Sequence, residues 1–198
     1  TLQDTSGDIA FNTTTADNNT TNDLTKLELA AINAAASDVT IISAGGIAIA
    51  DNGYYDITGG TSANLIMTAA TNNIAFATTS NNDGIKAKAI TIEATAGNIT
   101  QAASTAAVLT TATDQDLILR AIAIGTITDS IDVAVGGTGK LTIDTDAGDG
   151  DVYVDSAVDL DLSEITTFEA DIVSIQTTAN LVVKDAITDG GALTLRGE

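Results

Sequence analysis

KLTIDTDAGDGDVYVDSAVDLDLS (Lys140–Ser163) is the stretch from which the fold of the chain can be predicted. Its apolar residues alternate with polar ones, mostly aspartates, and this period of two is typical of β-strands that bury one face. The intervening residues Ala147–Gly150 have the composition of a turn. The pattern returns after about twenty residues, which favours a stack of short strands over a closed globule. The alternating apolar residues are Leu141, Ile143, Val152, Val154, Val158, Leu160 and Leu162.

The same short apolar phrase recurs through most of the chain. Successive copies are separated by about 20–27 residues, which is the length that two or three short strands and their turns require. We therefore predict an all-β fold, a parallel β-helix (β-solenoid) with rungs of about 20–27 residues. The copies begin near Leu65, Ile90, Leu117, Leu141, Leu160 and Leu181.

Two further features concern the limits of this fold. The chain contains no Pro, as expected for strands that donate hydrogen bonds inside a stack. A β-sandwich subunit joined to its neighbour by strand donation is the alternative, although a sandwich does not require a recurring phrase. We interpret residues 1–198 as a single β-solenoid domain or segment, in which residues 1–22 form a loop-rich N-terminal extension. Leu24–Ser37 has both a helical and a strand pattern, and the later copies favour a strand.

Composition excludes several classes of function. The chain has 27 acidic and 7 basic residues, a formal charge of −20. Nucleic acid is therefore excluded as a partner, because phosphate binding needs a cationic face. No apolar run has the length of a membrane span, which argues against membrane insertion. Cys and His are absent, so that thiol nucleophiles, thiolate metal sites and the commonest general base are missing.

One group of acidic residues suggests a metal site. Asp144, Asp146, Asp149 and Asp151 surround a glycine-containing turn, and clustered carboxylate oxygens are the ligands that Ca²⁺ prefers. We predict calcium binding there, and no other cofactor. The alternative is a solvated turn, because the spacing departs from that of an EF-hand loop. Asp155, Asp159 and Asp161 alternate with Val and Leu and are expected to face solvent.

The recurring phrase also resembles a known family. AITIEATAGNITQAA (Ala89–Ala103) and KLTIDTDAGDG (Lys140–Gly150) are similar to repeats of filamentous-haemagglutinin-like exoproteins. This resemblance implies a right-handed parallel β-helix that projects from a bacterial surface. A weaker likeness, to surface-layer and RTX-type proteins, lies in the acidic, cysteine-free composition. The RTX calcium motif is only partly matched by Gly136–Lys140.

Together these observations predict an exported, non-enzymatic protein with a structural or adhesive role at the cell surface. Open rung ends favour self-association into a filament or a lattice. A surface glycan or a host receptor is the expected external partner. The alternative is a carbohydrate-active parallel β-helix, either a polysaccharide lyase or a hydrolase, in which paired carboxylates act on the glycosidic bond.

Overall fold

The computed structural model has the predicted architecture, a β-solenoid of parallel strands with no helix among the residues that it describes. Strands form where Ile, Val, Leu and Thr alternate with polar residues, since β-branched side chains pack well on a pleated surface. The described residues are 26–29, 38–49, 55–56, 64–76, 85–102, 107–145, 150–167, 172–185, 187–188 and 191–198.

The first sheet has eight strands, and each hydrogen-bonded neighbour runs parallel. The two strands of this sheet that come last in the sequence both pair with the same seven-residue strand, Leu160–Thr166. The strands are β2 (Val39–Ser43), β5 (Leu65–Ala69), β8 (Ile90–Ala94), β11 (Leu117–Ala121), β13 (Lys140–Asp144), β15 (Leu160–Thr166), β17 (Leu181–Val183) and β18 (Ile187–Thr188).

The second sheet has seven strands, again all parallel. In each complete turn the strand of the second sheet comes after the strand of the first, directly or with a strand of the third sheet between them, so the two sheets form two sides of the turn. The strands are β4 (Tyr55–Asp56), β7 (Ile85–Ala87), β10 (Leu109–Thr111), β12 (Ile131–Ala134), β14 (Val152–Ser156), β16 (Ile172–Thr177) and β19 (Ala192–Arg196).

A third sheet supplies a third side to the earlier turns only. It has four described strands and continues as two isolated bridges, Ile99 with Ile124 and Ile124 with Val152. Val152 belongs to the second sheet, so the third side merges with the second there. The cross-section therefore changes from three-sided to two-sided along the stack. The four strands are β1 (Lys26–Leu29), β3 (Gly46–Ile49), β6 (Ile74–Phe76) and β9 (Ile99–Gln101).

The core is a continuous column of aliphatic side chains between the sheets. Leu65, Ile90 and Leu117 are register partners on successive turns, and each is essentially inaccessible to solvent. Full burial of such a side chain contributes about 1.5–3 kcal/mol relative to its exposure. Because every turn places the same positions inward, each turn buries its apolar face against the turns beside it.

The predicted spacing is confirmed, with one correction of register. Leu117 pairs with Leu141, as the recurring phrase predicts, but Leu141 then pairs with Leu162 and not with Leu160. The register of these two strands shifts once, after Leu141, so that Ile143 pairs with Ile165. A bulge in β15, after Leu162, takes up an extra residue against β13 and causes this shift.

The remaining fold predictions have different outcomes. The β-sandwich alternative is wrong, because every pairing among the described strands is parallel. Within Leu24–Ser37 the structure describes residues 26–29 as the strand β1, as the favoured interpretation requires. The rest of Leu24–Ser37 lies outside the described residues, and so does the loop predicted for residues 1–22.

Two glycines show how closely the corners of neighbouring turns approach. A Cβ on Gly139 would lie 2.1 Å from the carbonyl oxygen of Gln115, one turn earlier. A Cβ on Gly150 would lie 2.0 Å from the carbonyl oxygen of Ile122. Both obstacles are backbone atoms, so only glycine allows the two corners to stack at these positions.

Candidate functional site

The structure describes only two of the four aspartates predicted to bind calcium. Asp146 and Asp149 lie outside the described residues. Asp144 ends β13, and its Oδ2 is 3.4 Å from Nε of Arg120, its register partner on the previous turn. Its carboxylate is therefore already engaged by a cation.

Asp151 also has partners within the protein. Its Oδ1 accepts a hydrogen bond of 2.9 Å from the backbone N–H of Ile172, and its Oδ2 accepts one of 3.3 Å from the Tyr153 hydroxyl. Burial raises the pKa of that phenol, and the nearby Asp151 charge acts in the same direction. Among the described residues, no three acidic side chains are grouped so that they could hold a metal ion. The calcium site stays a prediction.

Several Asp and Asn side chains have a structural role at the corners of the solenoid. Each precedes a strand or lies in a turn, and its side-chain oxygen accepts a hydrogen bond from a backbone N–H one turn later. The sequence separation of these pairs falls from 26 to 21 residues along the stack, in step with the loss of the third side. The acceptor and donor pairs are Asp38 with Asn64 (2.8 Å), Asn73 with Asn98 (2.8 Å), Asp114 with Thr138 (2.7 Å), Asp116 with Lys140 (2.9 Å), Asp151 with Ile172 (2.9 Å) and Asp159 with Asn180 (3.0 Å).

We call these pairs the corner clamps. They give the abundant acidic residues a function in the fold, because a charge-assisted hydrogen bond fixes one turn on the next. In the clamp of Asp114, the N–H and then the hydroxyl of Thr138 hold the pKa of the carboxyl below its ordinary value. Asp114 also has a φ of 60°, in the left-handed region that Asp tolerates better than most residues.

Basic residues on the outer face of the first sheet lie beside acids of other turns. Lys140 Nζ is 2.9 Å from Oδ2 of Asp185, and Lys184 Nζ is 3.3 Å from Oδ2 of Asp161. The hydrogen bond from Lys140 lowers the pKa of Asp185 and raises that of Lys140. The scattered bases of the sequence thus reduce repulsion between stacked acids.

A different arrangement lies on the outer face of the second sheet. Asp132, Asp155, Gln176 and Arg196 are register partners on four successive strands, β12, β14, β16 and β19. We call this row the polar ladder. Neighbouring members are separated by one strand spacing, about 4.8 Å. Two carboxylates, an amide and a guanidinium are therefore brought together from positions far apart in the sequence.

Asp132 begins the polar ladder in a partly desolvated place. Its Oδ2 accepts a hydrogen bond of 2.7 Å from Nε2 of Gln101, and its N–H donates to Oε1 of the same amide at 2.9 Å. Burial raises the pKa of Asp132, the hydrogen bond from Gln101 opposes this rise, and the charge of Asp155 adds to it. Gln101 itself is buried, so it holds Asp132 in a defined orientation.

A groove of about 230 Å³ runs along the rest of the polar ladder. Oδ1 of Asp155 is buried without a hydrogen-bond partner in the described part of the chain. The guanidinium of Arg196 forms no ion pair with any described residue. Seven residues line the groove: Asp155, Ser156, Gln176, Thr177, Thr178, Arg196 and Glu198.

The groove and the polar ladder were not predicted from the sequence. Asp155 was expected to face solvent; it does lie on the outer face, but its Oδ1 is buried. Asp159 is exposed and Asp161 lies outward beside Lys184, as expected. The sequence signal that could have revealed the ladder is the recurrence of polar residues at the rung interval after Asp132.

Comparison with known proteins identifies no relative: no protein-family model, no curated protein and no solved structure matches the chain. The described residues contain no helix of the length and apolarity needed to cross a membrane.

Proposed function

We propose that this protein is an exported, non-enzymatic structural or adhesive element of a cell surface. The observation that carries the proposal is the uninterrupted aliphatic column between parallel ladders. Such a column resists bending, since each turn is hydrogen-bonded to two others along most of its length. The corner clamps add side-chain links between the same turns.

The outer surface supports a location outside the cell. The sequence is rich in acidic residues and in Thr, Asn and Ser, and it has no Cys that an oxidising environment could alter. The resemblance of Ala89–Ala103 to exoprotein repeats points in the same direction.

We further propose that copies of this chain associate end to end. The seven strands from β2 to β17 on the first sheet span about 30 Å along the stack. At the β17 end, the inward-facing Val183 and Leu193 are 45% and 43% exposed, whereas their register partners Leu162 and Val173 are fully buried. A second copy stacked on this end would cover them and pair the free strand edges.

Electron microscopy and sedimentation of the purified protein test this proposal, each with and without EDTA. Val183→Lys should abolish association, because it places a charge in the column where the next unit would stack. Val182→Lys is the matched control: Val182 is 41% exposed, but its register partner is the outward-facing Asp161. Val182→Lys should therefore associate like the parent protein.

The outcomes separate the parts of the proposal. Monomers at all concentrations, or equal behaviour of the two variants, would contradict end-to-end association. Loss of assembly in EDTA would support the predicted calcium site at Asp144, Asp146, Asp149 and Asp151, and unchanged assembly would argue against a role for calcium in it.

A carbohydrate-active β-helix is the second candidate function. It is favoured by the register pairing of Asp132 with Asp155 and by the raised pKa of Asp132. In glycoside hydrolysis one carboxylic acid protonates the leaving oxygen while a second carboxylate assists the attack on the sugar carbon. Release of new reducing ends from polysaccharides by the parent protein, and its loss in Asp132→Asn, would establish this activity in place of the non-enzymatic role.

A further inference from the structure

We propose that the groove along the polar ladder binds one neutral sugar residue of a glycan, held through two neighbouring hydroxyl groups. This inference rests on the adhesive role proposed above and gives it a ligand class and a place. It concerns the space between Asp155, Gln176 and Arg196, which three consecutive strands of the second sheet position.

The hydrogen-bonding groups of the groove include both unused acceptors and unused donors. Asp155 lines the groove and carries a carboxylate acceptor, and the Arg196 guanidinium is a donor; neither forms an ion pair with the described residues. Gln176 has one amide donor at 3.5 Å from Ser174 Oγ, a long contact that a ligand could replace. Since a sugar hydroxyl both donates and accepts, a pair of adjacent hydroxyls can satisfy these groups together.

Charge argues against the other small ligands of similar polarity. Asp155 and Glu198 in the groove, and the formal charge of −20 on the whole chain, disfavour an anion. A basic peptide side chain offers only donors and would face the Arg196 guanidinium. A neutral polyol avoids both repulsions.

Size sets a further limit. The groove volume of about 230 Å³ is smaller than the roughly 300–1,000 Å³ that is usual for drug-sized ligands. It therefore fits one ring of an oligosaccharide, a terminal or branching residue, with the rest of the glycan lying outside.

The scaffold holds the groove in a fixed shape. Val154 and Ile175, next to Asp155 and Gln176, are fully buried in the column. The hydroxyls of Ser156 and Thr177 donate to the carbonyl of Val158 at 3.1 and 2.7 Å. The groups that would contact the sugar thus extend from rigid strands, which reduces the entropy lost on binding.

Titration with methyl glycosides tests the proposal. The probes are the methyl glycosides of glucose, galactose, mannose and N-acetylglucosamine, with galacturonate and arginine amide as the charged comparisons. Amide shifts in NMR spectra and saturation transfer give the site and the affinity. We expect at least one neutral glycoside to bind with a Kd on the order of 1 mM and to shift the amides of Asp155, Gln176 and Arg196.

Gln176→Ala should weaken that binding by about tenfold, because it removes a partner from the ligand. Gln115→Ala is the matched control: its amide donates to the Asp114 carbonyl in a distant corner, and binding should be unchanged. Arg196→Gln, at an exposed position, should also weaken the binding of the glycoside. Thermal melting confirms that each variant is folded.

Three results would overturn the proposal: no binding of any neutral glycoside, binding of arginine amide or galacturonate alone, or equal affinity of Gln176→Ala and the parent protein. Sedimentation of the same samples distinguishes this failure from that of the proposed function. If the protein assembles but binds no sugar, only the proposal of sugar binding in the groove is refuted. If it binds sugar but does not assemble, only the proposal of end-to-end association is refuted.

Discussion

Replacement of Gly139 by alanine tests the close stacking of turns on which the fold depends. The added Cβ would lie 2.1 Å from the Gln115 carbonyl oxygen and 2.8 and 2.9 Å from the carbon and nitrogen of the same residue. These atoms belong to the backbone of the previous turn, so no side-chain rotation can relieve the contact. The corners must separate by about 1 Å, and overpacking of this kind lowers the free energy of unfolding by about 1–3 kcal/mol.

The separation would also strain neighbouring hydrogen bonds. The Lys140 N–H donates to Asp116 Oδ1 at 2.9 Å, directly after Gly139, and weakening it adds about 1 kcal/mol. We therefore expect Gly139→Ala to lower the free energy of unfolding by about 3 kcal/mol. For a chain of this size, that corresponds to a decrease in Tm of about 6–12 °C.

Gly136→Ala is the matched control in the same turn. There the nearest atom to an added Cβ is 3.3 Å away, and the backbone φ of Gly136 lies outside the left-handed region. Its stability should change by less than about 1 kcal/mol, since the loss of chain entropy in the unfolded state offsets a small contact penalty. Calorimetry or circular dichroism measures both variants. Equal Tm values for Gly139→Ala and the parent protein would refute the stacking of these corners.

Three further predictions concern polar and charged groups. Thr111 is 6% exposed and its Oγ1 has no hydrogen-bond partner among the described residues, so Thr111→Val should raise stability by about 1 kcal/mol in a thermal melt. The pKa of Asp132 is raised, chiefly by burial and further by Asp155, so the stability that its protonated form contributes is present below the unfolded pKa and is lost as pH rises through the folded pKa. Asp132→Asn should therefore be more stable than the parent protein at pH 7 and equally stable near pH 3. Equal pH profiles of stability for the two proteins would contradict this. The pKa of Asp185 is lowered by the hydrogen bond from Lys140, so NMR titration of Lys140→Gln should show the Asp185 pKa moving up towards its ordinary value, and an unmoved pKa would exclude the pair.

Much of the fold could be predicted from local pattern. The inward positions of Leu65, Ile90 and Leu117 follow from a period of two and from the return of one phrase at the rung interval. The period of two and the recurring phrase are both visible in the linear sequence, and a parallel stack of strands requires both. The pairing of Leu141 with Leu162, and not with Leu160, could not be read in this way, because both leucines have the same local pattern.

Only part of the candidate site could be predicted from the sequence. The sequence places Asp132 and Asp155 on the outer side of their strands, since Asp132 lies between Ile131 and Val133 and Asp155 continues the alternation after Val152 and Val154. It does not show that the two are neighbours, nor that Gln101 reaches Asp132 from the third sheet. The predicted cluster around Asp144 and the observed groove therefore lie at different places on the solenoid.

By itself the sequence determined which residues form strands, which side of each strand faces the column, and how acidic the surface is. These depend on composition and short-range alternation. Only the tertiary structure decided which side chains of different turns touch, because that depends on how many residues each corner takes up and on where the third side ends. Asp155, Gln176 and Arg196 thus form a groove through register, a property of the whole stack that no single stretch contains.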